Sequence, residues 1–202
     1  MDINKTFNLI ADKVNQVFKE RFGLVDEDCV YIYDQYKIII IKLSSILVPL
    51  GIKMNENLFK SLDEDNLKNL IEILIKKFSF EVFNSFDRLA RDLYNMFELI
   101  KKEIPDEVLS KIPDNAIKNL IIDNLKVAAV SGHSVNNFLV VKTTGMLESF
   151  QVFILDNSVK DAEIFKRELN SLFNDFYINY LQTIRLQKQV IIRQVQDDKS
   201  II

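Results

Sequence analysis

The chain is poor in the residues from which most catalytic sites are built. Its 202 residues include one histidine, one cysteine, four glycines, three prolines and no tryptophan. Histidine and cysteine supply many general bases and nucleophiles, and glycine-rich loops supply phosphate cradles. A zinc site of nitrogen and sulfur ligands cannot be built from His133 and Cys29 alone. We therefore expect no cofactor and no metal, and a function that lies in a surface.

Several partners and compartments are also disfavoured by composition. With 26 basic and 29 acidic residues, the chain has no general attraction for nucleic acid, so we expect no nucleic-acid partner. The apolar run 36–52 is shorter than the ~20 residues of a spanning helix and contains Lys42, so we expect no integral membrane segment. One cysteine cannot form an internal disulfide, and the N-terminus lacks the pattern of a signal peptide. A cytoplasmic location is predicted.

What the chain has in abundance is apolar material. Hydrophobic residues make up 48% of it, including 15 phenylalanines, which is enough for a substantial core. The pattern predicts one α+β domain over residues 1–196, with a weak sub-boundary near 103–114 and a frayed tail at 197–202. Within it we expect a small, mostly antiparallel sheet of two hairpins, many helices and a long C-terminal helix.

The periodicity of the apolar residues places most elements. A helix is predicted over 3–22, followed by two strands on either side of Asp34-Gln35. The second strand is apolar on both faces, which is typical of a covered, central strand. Further elements are expected at 56–103 (two helices), 114–124 (a helix), 127–130 (a strand), and 138–142 with 149–155 (a hairpin whose loop contains Gly145). A last helix is predicted from Ser158, with Ser158 and Asp161 as a capping box.

The tail from Thr183 to Gln196 fits either a helix or a strand. If the last helix ran from 158 to 195 it would be about 57 Å long, more than a domain of this size covers. Its distal part would then expose apolar residues to a partner protein or a second copy. The candidate interface residues are Ile184, Leu186, Val190, Ile191 and Val195. The alternative is that the chain turns near Gln182 and folds the tail back on its own core.

One local cluster contains catalytic residue types. Ser131, His133 and Ser134 surround Gly132 and form the candidate polar site. Neighbouring residues rarely align an imidazole with a hydroxyl, and no orienting carboxylate is identifiable, so a turn after a strand is the preferred interpretation. The alternative is a small-molecule-binding or enzymatic site.

The first quarter of the chain resembles a known family. Phe22-Gly23, Val30-Tyr31-Ile32, Ile38–Leu43 and Leu47-Val48-Pro49 are similar to the start of a family of small cytoplasmic bacterial proteins. That family is associated with a sodium-translocating, membrane-potential-generating system. The likeness covers about residues 14–50. Leu24-Val25 replaces the family's Gly-Pro, and Leu50-Gly51 stands where the family has an acidic residue. The resemblance implies an accessory subunit and supplies no catalytic residues.

Three functions follow from these patterns. The leading hypothesis is a non-enzymatic cytoplasmic module for protein interaction or regulation, with a homodimer as one form. The second is a ligand-binding or enzymatic domain that uses residues 131–134. The third is the cytoplasmic accessory subunit of an ion-transport system that the resemblance implies.

Overall fold

The protein contains one six-stranded sheet and several helices. The computed structural model describes residues 30–33, 38–44, 49–146 and 149–197, so the helix expected over 3–22 and the end of the tail lie outside the described residues. The strands are β1 (Val30–Tyr33), β2 (Ile38–Ser44), β3 (Pro49–Asn55), β4 (Ser131–His133), β5 (Leu139–Thr144) and β6 (Ser149–Ile154). The α-helices are α1 (Glu56–Ser61), α2 (Glu64–Glu103), α3 (Asp106–Leu109), α4 (Asp114–Val127) and α5 (Ala162–Asp197).

Two three-stranded meanders form the sheet, in the order β1-β2-β3-β6-β5-β4. Pairing within each meander is antiparallel, and the two meanders join through the parallel pair β3–β6. A parallel pair needs a long crossover connection, and here that connection contains four helices. The prediction of a helix-rich α+β fold with a mostly antiparallel sheet and a long C-terminal helix is confirmed.

The first meander has one more strand than the sequence indicated. β2 lies between β1 and β3, so the expected interior strand is present, while the coverage of its side chains stays a prediction. β3 was missed because it begins at Pro49 and contains Gly51, two residues that usually interrupt strands. Proline is compatible with the first position of a strand, where its missing N–H group is not needed.

The structure of residues 127–134 differs from two predictions. The strand expected at 127–130 is wrong, because α4 continues to Val127 along its buried residues Ile117, Ile121 and Leu125. These residues recur every four positions, which sustains a helix. The turn expected at 131–134 is also wrong over its first three residues, since Ser131–His133 forms β4 and pairs with β5.

The helices are longer than expected, and only the last one is capped differently from the prediction. Residues 64–103 form the single helix α2, which is capped by Asp63 through a bond from Asn66 N at 2.7 Å. Before α5, Asp156 caps a short 3-10 turn, and Asp161 then accepts hydrogen bonds from Glu163 N and Ile164 N. The predicted Ser158–Asp161 capping box is therefore wrong. α5 continues for 36 residues, so the tail is a helix and does not turn at Gln182.

The core lies between the sheet and α5. α5 crosses β4 and β5, and the ring of its Phe176 lies 5.7 Å from the ring of Phe150 on β6. α2 and α4 pack on α5, and Ile104 and Ile112, from the segment 103–114, are buried in the same core. Among the described residues, none of the helices is both long enough and apolar enough to cross a membrane.

The contact between β4 and α5 leaves no space for a side chain at Gly132. A Cβ atom there would lie 2.8 Å from Phe176 Cβ and 2.9 Å from the Leu172 carbonyl oxygen. Real Cβ atoms do not approach other atoms so closely, so β4 and α5 can meet at this distance only because residue 132 is glycine.

We expect Gly132→Ala to destabilise the protein by about 1–3 kcal/mol, because the added methyl group must push α5 away from β4. The matched control is Gly51→Ala, whose Cβ would have only a carbonyl oxygen at 3.9 Å. This change should stay within about 0.5 kcal/mol of the natural protein. Urea denaturation of both variants measures the difference, and equal effects would contradict the close-contact explanation.

Candidate functional site

The outer edge of β4 is closed by side chains of α5 instead of by another strand. Three residues of α5, one to two turns apart, bond the backbone of this edge. Asn179 Nδ2 donates to Ser131 O at 2.9 Å, His133 N donates to Asp175 Oδ2 at 2.8 Å, and Val135 N donates to Ser171 Oγ at 3.0 Å. An unpaired edge strand can form hydrogen bonds with a strand of another chain. We call the contacts of Ser171, Asp175 and Asn179 with the backbone of β4 and Val135 the seam, and this seam protects β4 from strand addition.

Glu168 extends the seam by one turn and is fully buried. Its Oε1 accepts a bond from Asn136 Nδ2 at 2.6 Å, and its Oε2 accepts one from Asn136 N at 3.2 Å. Asn136 lies in the β4–β5 turn, beside Asn137, which has a φ of 58°. A buried carboxylate is stable only when its oxygens have donors, so these bonds allow Glu168 to occupy the interior.

The environment of Glu168 favours its charged form. Burial alone raises its pKa, but hydrogen bonds from Ser134 and Asn136, with the charge of Arg167, outweigh burial and hold the pKa below its ordinary value. The Arg167 guanidinium lies 3.6 Å from Oε1. Glu168 is therefore an ionised anchor for the β4–β5 turn, and its role in the fold is structural.

The candidate polar site occupies this seam. Ser134 is buried, and its hydroxyl accepts a bond from Leu139 N at 3.0 Å and interacts with Glu168. The Ser131 carbonyl and the His133 amide are bonded to α5, while the imidazole of His133 is exposed. The structure therefore places Ser131, His133 and Ser134 together beside Asp175 and Glu168, but Ser131 and His133 make these contacts through their backbone groups, and only Ser134 makes them through its side chain.

The candidate interface residues divide between the core and the surface. Ile191 and Val195 are 0% and 1% exposed and belong to the core of their own chain, and Ile184 packs against that core. Leu186 is 60% exposed and Val190 is 41% exposed. Only these two offer substantial apolar surface to a partner.

Hydrogen bonds tie α2 to α5. Tyr177 Oη donates to Glu81 Oε2 at 2.8 Å, and Tyr180 Oη donates to Asp92 Oδ2 at 3.1 Å. Tyr180 is buried, and that burial, with the nearby Asp92 carboxylate, raises its pKa. The phenol is thus a permanent donor, and these contacts hold the two long helices side by side.

Across the residues that the structure describes, no group of three His, Cys, Asp or Glu side chains is arranged to hold a metal ion. Comparison with protein families, curated proteins and solved structures finds no match. The site must be interpreted from its own geometry.

The seam was not recognised in the sequence. Its residues Glu168, Ser171, Asp175 and Asn179 are spaced by three or four positions, which is the spacing of one helical stripe. That spacing was a usable signal, but a polar stripe ordinarily faces water. Only the position of β4 shows what these side chains bind.

We expect Glu168→Gln to flatten the pH dependence of stability. Because the folded pKa of Glu168 is lowered, its stabilisation is complete above the unfolded value and is lost as pH falls through the folded value. The variant should lose about 1–3 kcal/mol at neutral pH and little in acid. Urea denaturation between about pH 7 and about pH 3 measures this. The exposed control Glu163→Gln should retain the natural slope, and an unchanged slope in Glu168→Gln would contradict the assignment.

Replacing the His133 side chain and replacing the residue that accepts its backbone hydrogen bond should have different effects on stability. His133→Ala removes an exposed imidazole and keeps the backbone bond to Asp175, so stability should change by no more than about 0.5 kcal/mol. Asp175→Ala removes that acceptor and should cost about 1 kcal/mol or more. Thermal and urea unfolding test the pair, and a larger cost for His133→Ala would be evidence against this arrangement.

Proposed function

We propose that the chain is a non-enzymatic protein-interaction module that self-associates through the distal part of α5. The observation that carries the proposal is the exposure of Leu186 and Val190, two apolar residues one helical turn apart on the distal part of α5. We call these two residues the distal patch.

The distal patch continues the helix face that packs on the sheet. Val190 stands 18 positions after Leu172, and Leu186 stands 18 positions after Glu168, which is about five helical turns in each case. Near the start of α5 this face is covered by β4 and the β4–β5 turn. The same face is exposed at the distal patch, which lies about 27 Å further along α5.

The surroundings of the distal patch suit another copy of the chain. Gln182, Gln187, Gln189 and Gln194 surround it, and Arg193 is the nearby charged residue on this side. Depletion of charge around exposed apolar residues is typical of the centre of protein interfaces. Two such patches can meet about a two-fold axis without facing strong like-charge repulsion.

The helix itself is held rigidly where the patch lies. Ile191 and Val195 anchor its opposite side in the core, and Lys188 forms an ion pair with Glu103 of α2. Asn124 Nδ2 donates to Gln194 Oε1 at 3.0 Å. An ordered surface loses less entropy on binding than a mobile one, which favours association.

The other two functions have less support from these contacts. In the segment 131–134 the Ser134 hydroxyl is already bonded to Leu139 N and Glu168, and Asp175 accepts a bond from the backbone amide of His133, so these contacts serve the fold. The accessory-subunit role stays an expectation from the resemblance, which extends over residues that the structure only partly describes.

We expect Leu186→Ser combined with Val190→Ser to raise the dissociation constant of the homodimer at least about tenfold, equivalent to about 1.4 kcal/mol. Removing two apolar side chains from a buried interface supplies a loss of that size. Sedimentation equilibrium of the full chain measures the constant.

The matched control is Ile178→Ser, since Ile178 is an exposed apolar residue on another face of α5. It should leave the dissociation constant unchanged. A natural protein that stays monomeric at high micromolar concentration, or equal effects of the two changes, would overturn self-association.

A further inference from the structure

All the charged residues of the six strands have one sign and belong, by their register positions, to one face of the sheet. The strand sequences contain Lys42, Lys53 and Lys142 and no aspartate or glutamate. Gly132, which meets α5, pairs with Val141, so α5 covers the face of Val141. Residues alternate between faces along a strand, so the three lysine positions belong to the opposite face.

The register places these positions close together. One row across the sheet runs Lys42, Gly51, Gln151, Lys142, and the next row includes Lys53 opposite Phe153. We call Lys42, Lys53, Gln151, Phe153 and Lys142 the lysine face. Lys42 belongs to it by register position.

The centre of the lysine face is an aromatic ring under two ammonium groups. Lys53 Nζ lies 5.0 Å and Lys142 Nζ lies 5.7 Å from the centroid of the Phe153 ring. The ring attracts both cations and so holds two positive charges together that would otherwise repel each other. Lys53 Nζ also donates to Gln151 Oε1 at 2.9 Å, which leaves the amide NH₂ group of Gln151 as a further donor.

These lysines differ from the paired lysines of the helices. Lys101, Lys126, Lys166 and Lys188 each lie within ion-pair distance of a carboxylate. Over the described part of the chain, Lys53 and Lys142 have the ring and the amide as partners and no carboxylate. Among the described residues, Lys53 and Lys142 thus place positive charge on this face without a neighbouring carboxylate, in a chain whose net charge is -3.

We propose that the lysine face binds an acidic, extended segment of a partner protein. The charges complement each other, and Gly51, which has no side chain, leaves space at the centre of the row. From β2 to β5 the row crosses three strand spacings, or about 14 Å. One small anion cannot bridge that distance, whereas acidic residues four positions apart in an extended chain are also about 14 Å apart.

The experiment uses the full chain and labelled peptides. The probe is a fluorescein-labelled nonapeptide with glutamate at the first, fifth and last positions and serine elsewhere. Fluorescence anisotropy should show binding that weakens as salt rises from about 50 to about 300 mM. The same peptide with glutamine for glutamate should bind at least about tenfold more weakly, since it carries no charge from its side chains.

Substitutions in the lysine face test whether the peptide binds there. Lys53→Gln and Lys142→Gln should each weaken binding about two- to fivefold, the range for an exposed ion pair. Lys126→Gln, on α4, is the matched control and should have no effect. Phe153→Leu keeps all the charges but releases the two lysines, so it should also weaken binding, with folding checked by thermal unfolding.

Several results would overturn the proposal. These are equal binding of the glutamate and glutamine peptides, no effect of Lys53→Gln and Lys142→Gln, or displacement by millimolar inorganic phosphate, which would indicate a small-anion site. Tighter binding of a nine-nucleotide oligothymidine would assign the face to nucleic acid. Because the distal patch is separate, Leu186→Ser with Val190→Ser should leave peptide binding intact, so the two proposals can fail independently.

Discussion

The close contact between β4 and α5 is the constraint on which the rest of the structure depends. With no Cβ at residue 132, the α5 backbone approaches the strand to a distance that any other residue would prevent. At that distance, short side chains such as Ser171 and Asp175 reach the backbone of β4 directly. Each of these bonds contributes only about 1 kcal/mol, but leaving the groups unpaired would cost more. The contact therefore determines both the position of α5 and its rotation about its axis.

Several other features follow from that rotation. The Phe176 ring packs against Phe150. The Glu168 side chain lies in the interior, where Ser134 and Asn136 must supply hydrogen bonds to its carboxylate. On another side of α5, Tyr177 and Tyr180 meet carboxylates of α2, so the two long helices support each other. A helix of 36 residues is longer than the sheet that it crosses. Its distal face consequently lacks the cover that the sheet supplies near its start.

The two surfaces proposed for binding differ in their physical basis. The distal patch offers apolar area on an ordered helix, so burial of that area would supply the free energy of the proposed association. The lysine face offers positive charge on the opposite side of the sheet from α5, so the binding proposed there would be electrostatic and sensitive to salt. An interaction module with both surfaces can form a dimer and still bind an acidic segment. The polar groups of the β4–α5 seam mainly serve the fold.

Local patterns in the sequence determined the fold class, the interior position of β2, the β5–β6 hairpin with Gly145 at positive φ, and the existence of a long last helix. These follow from periodicity and turn chemistry, which act over a few residues. Tertiary structure alone decided that Pro49 begins a strand, that Gly132 lies in a strand against a helix, and that Ile191 is buried while Val190 is exposed. It also brought lysines from three strands onto one face. Each of these depends on which distant segments pair and in what register, and no local pattern contains that information.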